Sequence, residues 1–343
     1  MTNNEALTMR AAAVTRYGAP DVVVLRDVPR PAPGPRDVLI RVRATTVSSG
    51  DARMRARRVP SGMGFLVRLA VGWNAPRHAV LGTECAGEIV ATGAEVTRFR
   101  PGDAVIAFTG AAMGMHAENT VLPEDGIVAP KPDALSWEEA AALRFGGTSA
   151  LHYLRHEARV KPGERVLIVG ASGAVGAAAV QIARHEGAEV TAVCSAANAA
   201  LARELGAAKV IDYHAEDFAR ADTQWDVVMD CVGAADYARC RRVLAPGGRL
   251  LRVVCGLAGQ FAAPFQGRFS GHRVIAGVAA ERPDDVLALV AMAREGTYRA
   301  VIDEVLPLAR IAEAHARVDT GHKRGSVVIA VGGGPPPRRH PSR

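Results

Sequence analysis

A single run, Val166-Leu-Ile-Val-Gly-Ala-Ser-Gly-Ala-Val-Gly-Ala-Ala-Ala-Val-Gln-Ile-Ala183, constrains this chain more than any other segment. An apolar stretch leads into Gly170, Gly173 and Gly176, and a small-residue helical stretch follows. A buried strand turning tightly into a helix uses such glycines for the turn, for close approach of a pyrophosphate, and for helix–strand packing. The helix start then offers unbonded N–H groups to phosphates, so Gly170, Ser172, Gly173, Ala174, Val175 and Gly176 are candidate dinucleotide contacts. A glycine motif alone is a weak signal. Here the spacing predicts a strand over 165–169, a helix over 174–185 and a second strand over 189–194, which is the confirming context.

The end of that second strand selects between dinucleotides. An NAD site places Asp or Glu there to hold the ribose 2′-hydroxyl. This strand ends at Cys194 and Ser195, followed by Ala196, Ala197 and Asn198. No carboxylate repels a 2′-phosphate, and Ser195 and Asn198 can donate to one. NADPH is the expected cofactor. Tyr213 and Val232, after the third and fourth strands, are further candidate cofactor contacts.

Around this motif the rhythm is mixed. From Met9 to about Lys131 short apolar runs alternate with Pro and Gly, reading as a mostly β region. Ser136, with Glu138 and Glu139 behind it, marks a helix start. Strands at 209–212, 226–230, 249–254 and 273–278 and helices at 199–205 and 284–294 then alternate, which implies a parallel sheet covered on both faces. A helix at 308–317 and a strand at 326–331 close the chain before the tail G-G-G-P-P-P-R-R-H-P-S-R, which cannot pack a core.

Composition narrows the partners. At 343 residues two domains are expected, and 49% hydrophobic residues suffice for two cores. The net charge of +7 is partly in the tail and partly in Arg53, Arg55, Arg57, Arg58, Arg68 and Arg77, within an acid-free stretch 52–78. That stretch reads as a solvated face or as a rim attracting acidic substrates. No aromatic residues interleave with the arginines, so nucleic acid is not an expected partner. The five cysteines show no paired spacing, which fits a reducing cytoplasm. No run approaches the roughly 20 apolar residues of a membrane helix, and a soluble protein is expected.

The chain resembles, over nearly its whole length, the medium-chain dehydrogenase/reductase superfamily in its quinone-oxidoreductase-like branch. The carrying segments are V-S-S-G-D-A-R-M-R (47–55), L-G-T-E-C-A-G-E-I-V (81–90), F-R-P-G-D-A-V (99–105), G-G-T-S-A-L (146–151), V-K-P-G-E-R-V-L-I-V-G-A-S-G-A-V-G (160–176) and E-L-G-A-A-K-V-I-D-Y (204–213). The resemblance implies an α/β chain with a GroES-like mostly β domain from 1–133 and 282–331. It implies a Rossmann domain over 134–281, an active site in the cleft, and a homodimer; 332–343 is left as a disordered tail. Zinc relatives place Cys at Ser48 or Ser49 and His at Thr83, and 144–146 supplies no third ligand here. No metal is therefore expected.

Without a Lewis acid, a conjugated acceptor is the easier substrate, because hydride addition gives a delocalised enolate or hydroquinone anion. A small quinone, enone or enal is expected. The family positions carried over are Ser48, Asp51, Phe145 and Thr148. His116 is a candidate proton donor, set against a packed histidine. No residue stands out as the acid. A biosynthetic reductase of an acidic intermediate and a non-catalytic NADPH-binding protein are the alternatives.

Overall fold

The computed structural model describes residues 8–58, 72–73 and 75–332. Positions 59–71 and 74 of the arginine-rich stretch, and the tail beyond 332, lie outside the described residues. Within them the chain divides into two compact units, with boundaries after Ala142 and before Ile302.

The first unit is built on sheet. β1 (Thr8–Val14) pairs antiparallel with β2 (Val23–Pro29). The long β3 (Asp37–Val47) feeds directly into helix α1 (Ser49–Ala56). β4 (Glu84–Thr92) and β6 (Asn119–Pro123) both pair with β3, while β5 (Ala104–Phe108) joins β4 to β7 (Ile127–Pro130). Helix α2 (Trp137–Ala141) starts at the expected place, with Ser136 and Glu139 forming a capping box.

The second unit opens with α3 (Arg144–Leu151), which runs on as a π-helical turn over His152–Ala158. Six strands follow: β8 (Arg165–Val169), β9 (Glu189–Cys194), β10 (Lys209–Asp212), β11 (Trp225–Asp230), β12 (Leu244–Arg252) and β13 (Arg273–Ala276). All are parallel, in the order β10-β9-β8-β11-β12-β13. Between them lie α4 (Ala174–His185), α5 (Ala199–Glu204), α6 (Tyr237–Cys240) and α7 (Leu257–Ala262), and α8 (Pro283–Arg294) follows. The sheet contributes Leu167, Val169, Val193, Val228 and Leu250 to one core, which Tyr237 and Cys240 of α6 join. The strand order reverses between β8 and β11, and ligands of open parallel sheets bind outside the carboxyl ends at such a point.

The chain then returns to the first sheet through β14 (Ile302–Pro307), α9 (Ile311–Asp319) and β15 (Ser326–Ala330). β15 pairs antiparallel with β3, Val327 opposite Val47. Ile311, Ala314 and Val318 of α9 pack into the core with Val38, Ile40 and Val42 of β3.

The unit boundaries fall later than the expected 133/134 and 281/282. α2 packs on β3 and β4 and so belongs to the first unit. α8 packs on α3, and the Tyr298 hydroxyl donates to Leu143 O at 2.9 Å, which ties the chain up to 301 to the second.

Candidate functional site

The glycine turn sits at the carboxyl end of β8. Gly170 has φ +80° and donates to Val193 O, and Gly173 donates to Gly170 O at 3.2 Å. No side chain caps α4 at Gly173, so the first-turn amides of Ala174, Val175 and Gly176 remain for a ligand. A Cβ on Gly176 would lie 2.1 Å from Gly170 O, so this glycine is demanded by the packing of helix on strand. One on Gly173 would meet only Gly170 O, at 3.6 Å, so its bareness serves something other than packing. These residues fit a dinucleotide pyrophosphate.

The flanking loops close around the same end. Asp230, fully buried, accepts from the amides of Val232, Gly233 and Ala234 with Oδ1 and of Ala235 with Oδ2, at 2.8–3.2 Å. That holds the loop after β11 and brings half-exposed Val232 against Gly170. At the end of β9, Asn198 Nδ2 lies 3.2 Å from both Ser172 Oγ and Ser195 Oγ. Three small polar side chains thus gather at the end of β9. Tyr213 N donates to Cys194 O at 3.3 Å, and its half-exposed ring lies tilted against that of His214, 4.3 Å between centroids. The cofactor candidates named in the sequence are therefore assembled at one end of one sheet.

Thr148 and Phe145 lie on α3, which crosses α4 so closely that a Cβ on Gly146 would come within 2.3 Å of Ala174 O. The Thr148 hydroxyl donates back to Arg144 O at 3.0 Å.

The candidates of the first unit have local duties. Ser48 caps α1, accepting from Asp51 N at 3.2 Å, while its hydroxyl donates to Asp51 Oδ2 at 2.6 Å. Asp51 is fully buried; its oxygens also accept from Ser48 N at 2.8 Å and Gly82 N at 3.1 Å. Its carboxylate is saturated by hydrogen bonds that fix the β3–α1 junction to the Gly82 turn. His116 is fully buried, with Nε2 donating to Thr46 O at 2.9 Å. Its ring packs edge-on against His315, 5.8 Å between centroids. This is the packed histidine of the two readings.

The spacing of residues does not reveal several buried polar groups. Arg55, expected in the solvated or substrate-facing stretch, is fully buried and ion-paired to Asp319 at 2.5 Å. Helical periodicity from Ser49 could have found it, since Asp51 and Arg55 share a face. Buried Glu84, at the start of β4, accepts from Thr46 Oγ1 at 2.5 Å, and its main-chain oxygen accepts from Thr45 Oγ1 at 2.6 Å. Cys85 is buried and its thiol is pushed up by burial, so it is an inert core residue. Among the described residues no three His, Cys, Asp or Glu side chains are placed to hold a metal, and Ser48, Ser49 and Thr83 are poor zinc donors.

A parallel sheet in this order, together with a GroES-like sheet in the same chain, defines a nicotinamide-dependent dehydrogenase/reductase architecture. The profile of the alcohol dehydrogenase GroES-like domain matches residues 34–133, and that of zinc-binding dehydrogenases matches 205–329. A quinone oxidoreductase of Pseudomonas aeruginosa is 32% identical over 339 residues, covering 91% of this chain and 97% of the relative. The structure of the quinone oxidoreductase from Coxiella burnetii superposes with a TM-score of 0.84 at 28% identity, covering 94% of this chain and 99% of that one. The CurK enoyl reductase superposes at 0.82 with 25% identity, covering 94% and 99%. The chain belongs to the medium-chain dehydrogenase/reductase superfamily, in its quinone-oxidoreductase-like branch. It is an oxidoreductase of a family that binds nicotinamide dinucleotides.

Proposed function

We propose that the chain is a zinc-independent, NADPH-dependent reductase of quinones or α,β-unsaturated carbonyl compounds. The observation that carries the cofactor choice is the Ser172–Ser195–Asn198 cluster at the end of β9, with no carboxylate on those residues. Hydroxyls and an amide accommodate a 2′-phosphate as donors, and a carboxylate there would repel it. Bound at the glycine turn, the dinucleotide supplies hydride. The donor set at Ser48, Ser49 and Thr83 supports a reaction that needs no metal, and so a conjugated acceptor. The names of the quinone oxidoreductase and enoyl reductase relatives point the same way.

A fluorescence titration with NADPH and NADH, followed by a panel of quinones and enones, tests this reading. NADPH is expected to bind at least about tenfold more tightly, which is about 1.4 kcal/mol. Asn198→Asp is expected to reverse that preference by placing a carboxylate beside Ser195. Equal affinity of the wild-type protein for both cofactors refutes the cofactor choice, and zinc bound stoichiometrically by the purified protein refutes zinc independence.

We also propose a homodimer built on β13. Among the described residues this strand pairs only with β12, leaving its other edge open. Beside it the segment 257–270 exposes Phe261 at 73%, Phe265 at 71% and Phe269 fully. Apolar surface next to an open strand edge is a ready surface for a second copy. Replacing the three phenylalanines by serine should shift the species in sedimentation velocity from dimer to monomer; a wild-type monomer at micromolar concentration contradicts the dimer.

A further inference from the structure

The second unit carries a charged cleft at the end of its sheet opposite the glycine turn. Arg165 opens β8, so the length of that strand, about 16 Å, separates it from Gly170. Beside it the chain leaves a short helical turn at Phe218–Arg220 and enters β11 at Trp225. Trp225 N donates to Val243 O at 2.8 Å, which brings the segment after α6 to the same end. Arg165, Arg220, Asp222, Thr223, Gln224 and Arg242 line a cleft of about 540 Å³ there. That volume falls within the roughly 300–1,000 Å³ of small-molecule sites, most of which are walled by apolar and aromatic side chains. This wall is polar, and no aromatic ring lines it among the described residues.

The charges of the cleft are not spent within the protein. Arg220 Nε stands 3.9 Å from Asp217, which already accepts from Arg239 Nη2 at 2.8 Å and from Ala219 N at 3.1 Å. Arg165 Nε stands 3.9 Å from Asp226 Oδ2, and the 2.8 Å hydrogen bond to that oxygen comes from the Arg165 amide instead. Arg242 follows α6, yet its guanidinium has no ion pair and no hydrogen bond, to that helix or elsewhere, among the described residues. The amides of Asp222, Thr223 and Gln224 also have no acceptor among them. Guanidinium groups from three separate segments thus face one acid in the cleft, Asp222, beside a run of unused N–H donors. Like charges gathered in this way repel, and an anion among them relieves the repulsion.

We propose that this cleft binds a small phosphorylated molecule carrying at least two negative charges. Its phosphoryl oxygens accept from the guanidinium groups of Arg165, Arg220 and Arg242 and from the amides of residues 222–224. Planar guanidinium forks match phosphoryl oxygens two at a time, and successive backbone amides add donors to the same concavity. Three cations against one acid leave an excess of two, so a divalent anion fits where chloride or a monocarboxylate does not. The lining offers a nucleobase no ring to stack on, so the phosphoryl group is the part recognised. The site is separate from the dinucleotide turn and does not depend on the reductase reading.

Calorimetric titration with inorganic pyrophosphate at constant ionic strength tests the site, using the wild type and Gly173→Val, whose phosphate cradle at the glycine turn is blocked. Saturable binding of equal affinity in both proteins is expected. Arg220→Gln and Arg242→Gln should each weaken it at least about tenfold, the loss of one charge-assisted hydrogen bond. Adding Arg165→Gln to the pair should abolish it. All three side chains are exposed, so the variants should unfold at the wild-type temperature. Arg16→Gln, an exposed arginine of the first unit, should change nothing. The proposal is overturned by the absence of saturable binding, by its loss in Gly173→Val, or by affinity that is indifferent to the cleft substitutions. An equal effect of Arg16→Gln would reduce the binding to general charge attraction and overturn it too.

Discussion

Gly173→Val should leave the fold intact and abolish dinucleotide binding, raising Kd by at least about 100-fold, or about 2.7 kcal/mol. Gly173 has φ −75° and ψ 173°, backbone that valine adopts readily, and its added Cβ would touch only Gly170 O at 3.6 Å. The branched side chain would instead fill the space in front of the uncapped start of α4, where the phosphates approach. Charge-assisted hydrogen bonds from the first-turn amides contribute about 1.5–3 kcal/mol each, so losing two of them accounts for the effect. Three residues on, Gly176→Ala should do the opposite. Its Cβ would press to 2.1 Å from Gly170 O and 2.8 Å from Ala171 Cα, both backbone atoms that cannot yield. The expected result is several kcal/mol of lost stability. Thermal unfolding and a fluorescence titration of the two variants separate a ligand glycine from a packing glycine. Wild-type affinity in Gly173→Val would remove the phosphate cradle from this turn.

Much of that turn is legible in the order of residues alone. β8, α4, β9 and β10 occur at the expected 165–169, 174–185, 189–194 and 209–212. A buried strand, a glycine turn and a small-residue helix are encoded by neighbours in sequence, so local chemistry suffices to place them. The cluster of Ser172, Ser195 and Asn198 is half legible. The absence of a carboxylate at the end of β9 is visible in the chain, whereas the approach of Ser172 from another loop is not.

Ser48 and Asp51 illustrate a signal that serves two purposes. Ser-x-x-Asp before a helix is a capping-box pattern, and the structure shows both of its hydrogen bonds. The family resemblance assigns the same two side chains to chemistry, and the capping duty is the one their contacts display. Arg55 and His315 are illegible for a different reason. Arg55 meets Asp319 across 264 positions, and the ring of His315 meets that of His116 because the chain returns to the first unit through β14 and α9. Pairings over such separations are set by topology, and spacing carries no trace of them. The unit boundaries are displaced because α2 and the chain up to 301 are assigned by packing on distant elements, which composition does not register.

The buried histidine pair gives the second large effect, a loss of stability in mild acid. His315 has no exposed surface, and neither ring nitrogen has a hydrogen-bond partner among the described residues. Burial, with His116 and Arg55 as further causes, pushes it down to about 2. The unfolded chain takes up a proton there near pH 6.5, and the folded chain does not. Below that pH the unfolded state binds more protons, so stability is complete above about pH 6.5 and declines as pH falls towards 2. The slope is about 1.4 kcal/mol per pH unit, or about 2.7 kcal/mol between pH 6.5 and 4.5. Carboxylates held low, such as Asp303 with its Arg317 partner, lose their stabilisation only near and below their unfolded values of about 4. His152, lowered by partial burial, adds to the same window but to a smaller extent. Urea unfolding of the wild type and His315→Leu at pH 7.0, 5.5 and 4.5 isolates the contribution. Leucine carries no proton, so the variant should lose stability with acid by about one proton's slope less than the wild type. Equal slopes would mean that His315 charges in the folded state, and that the pocket beside Arg55 and His116 admits enough water to carry the charge.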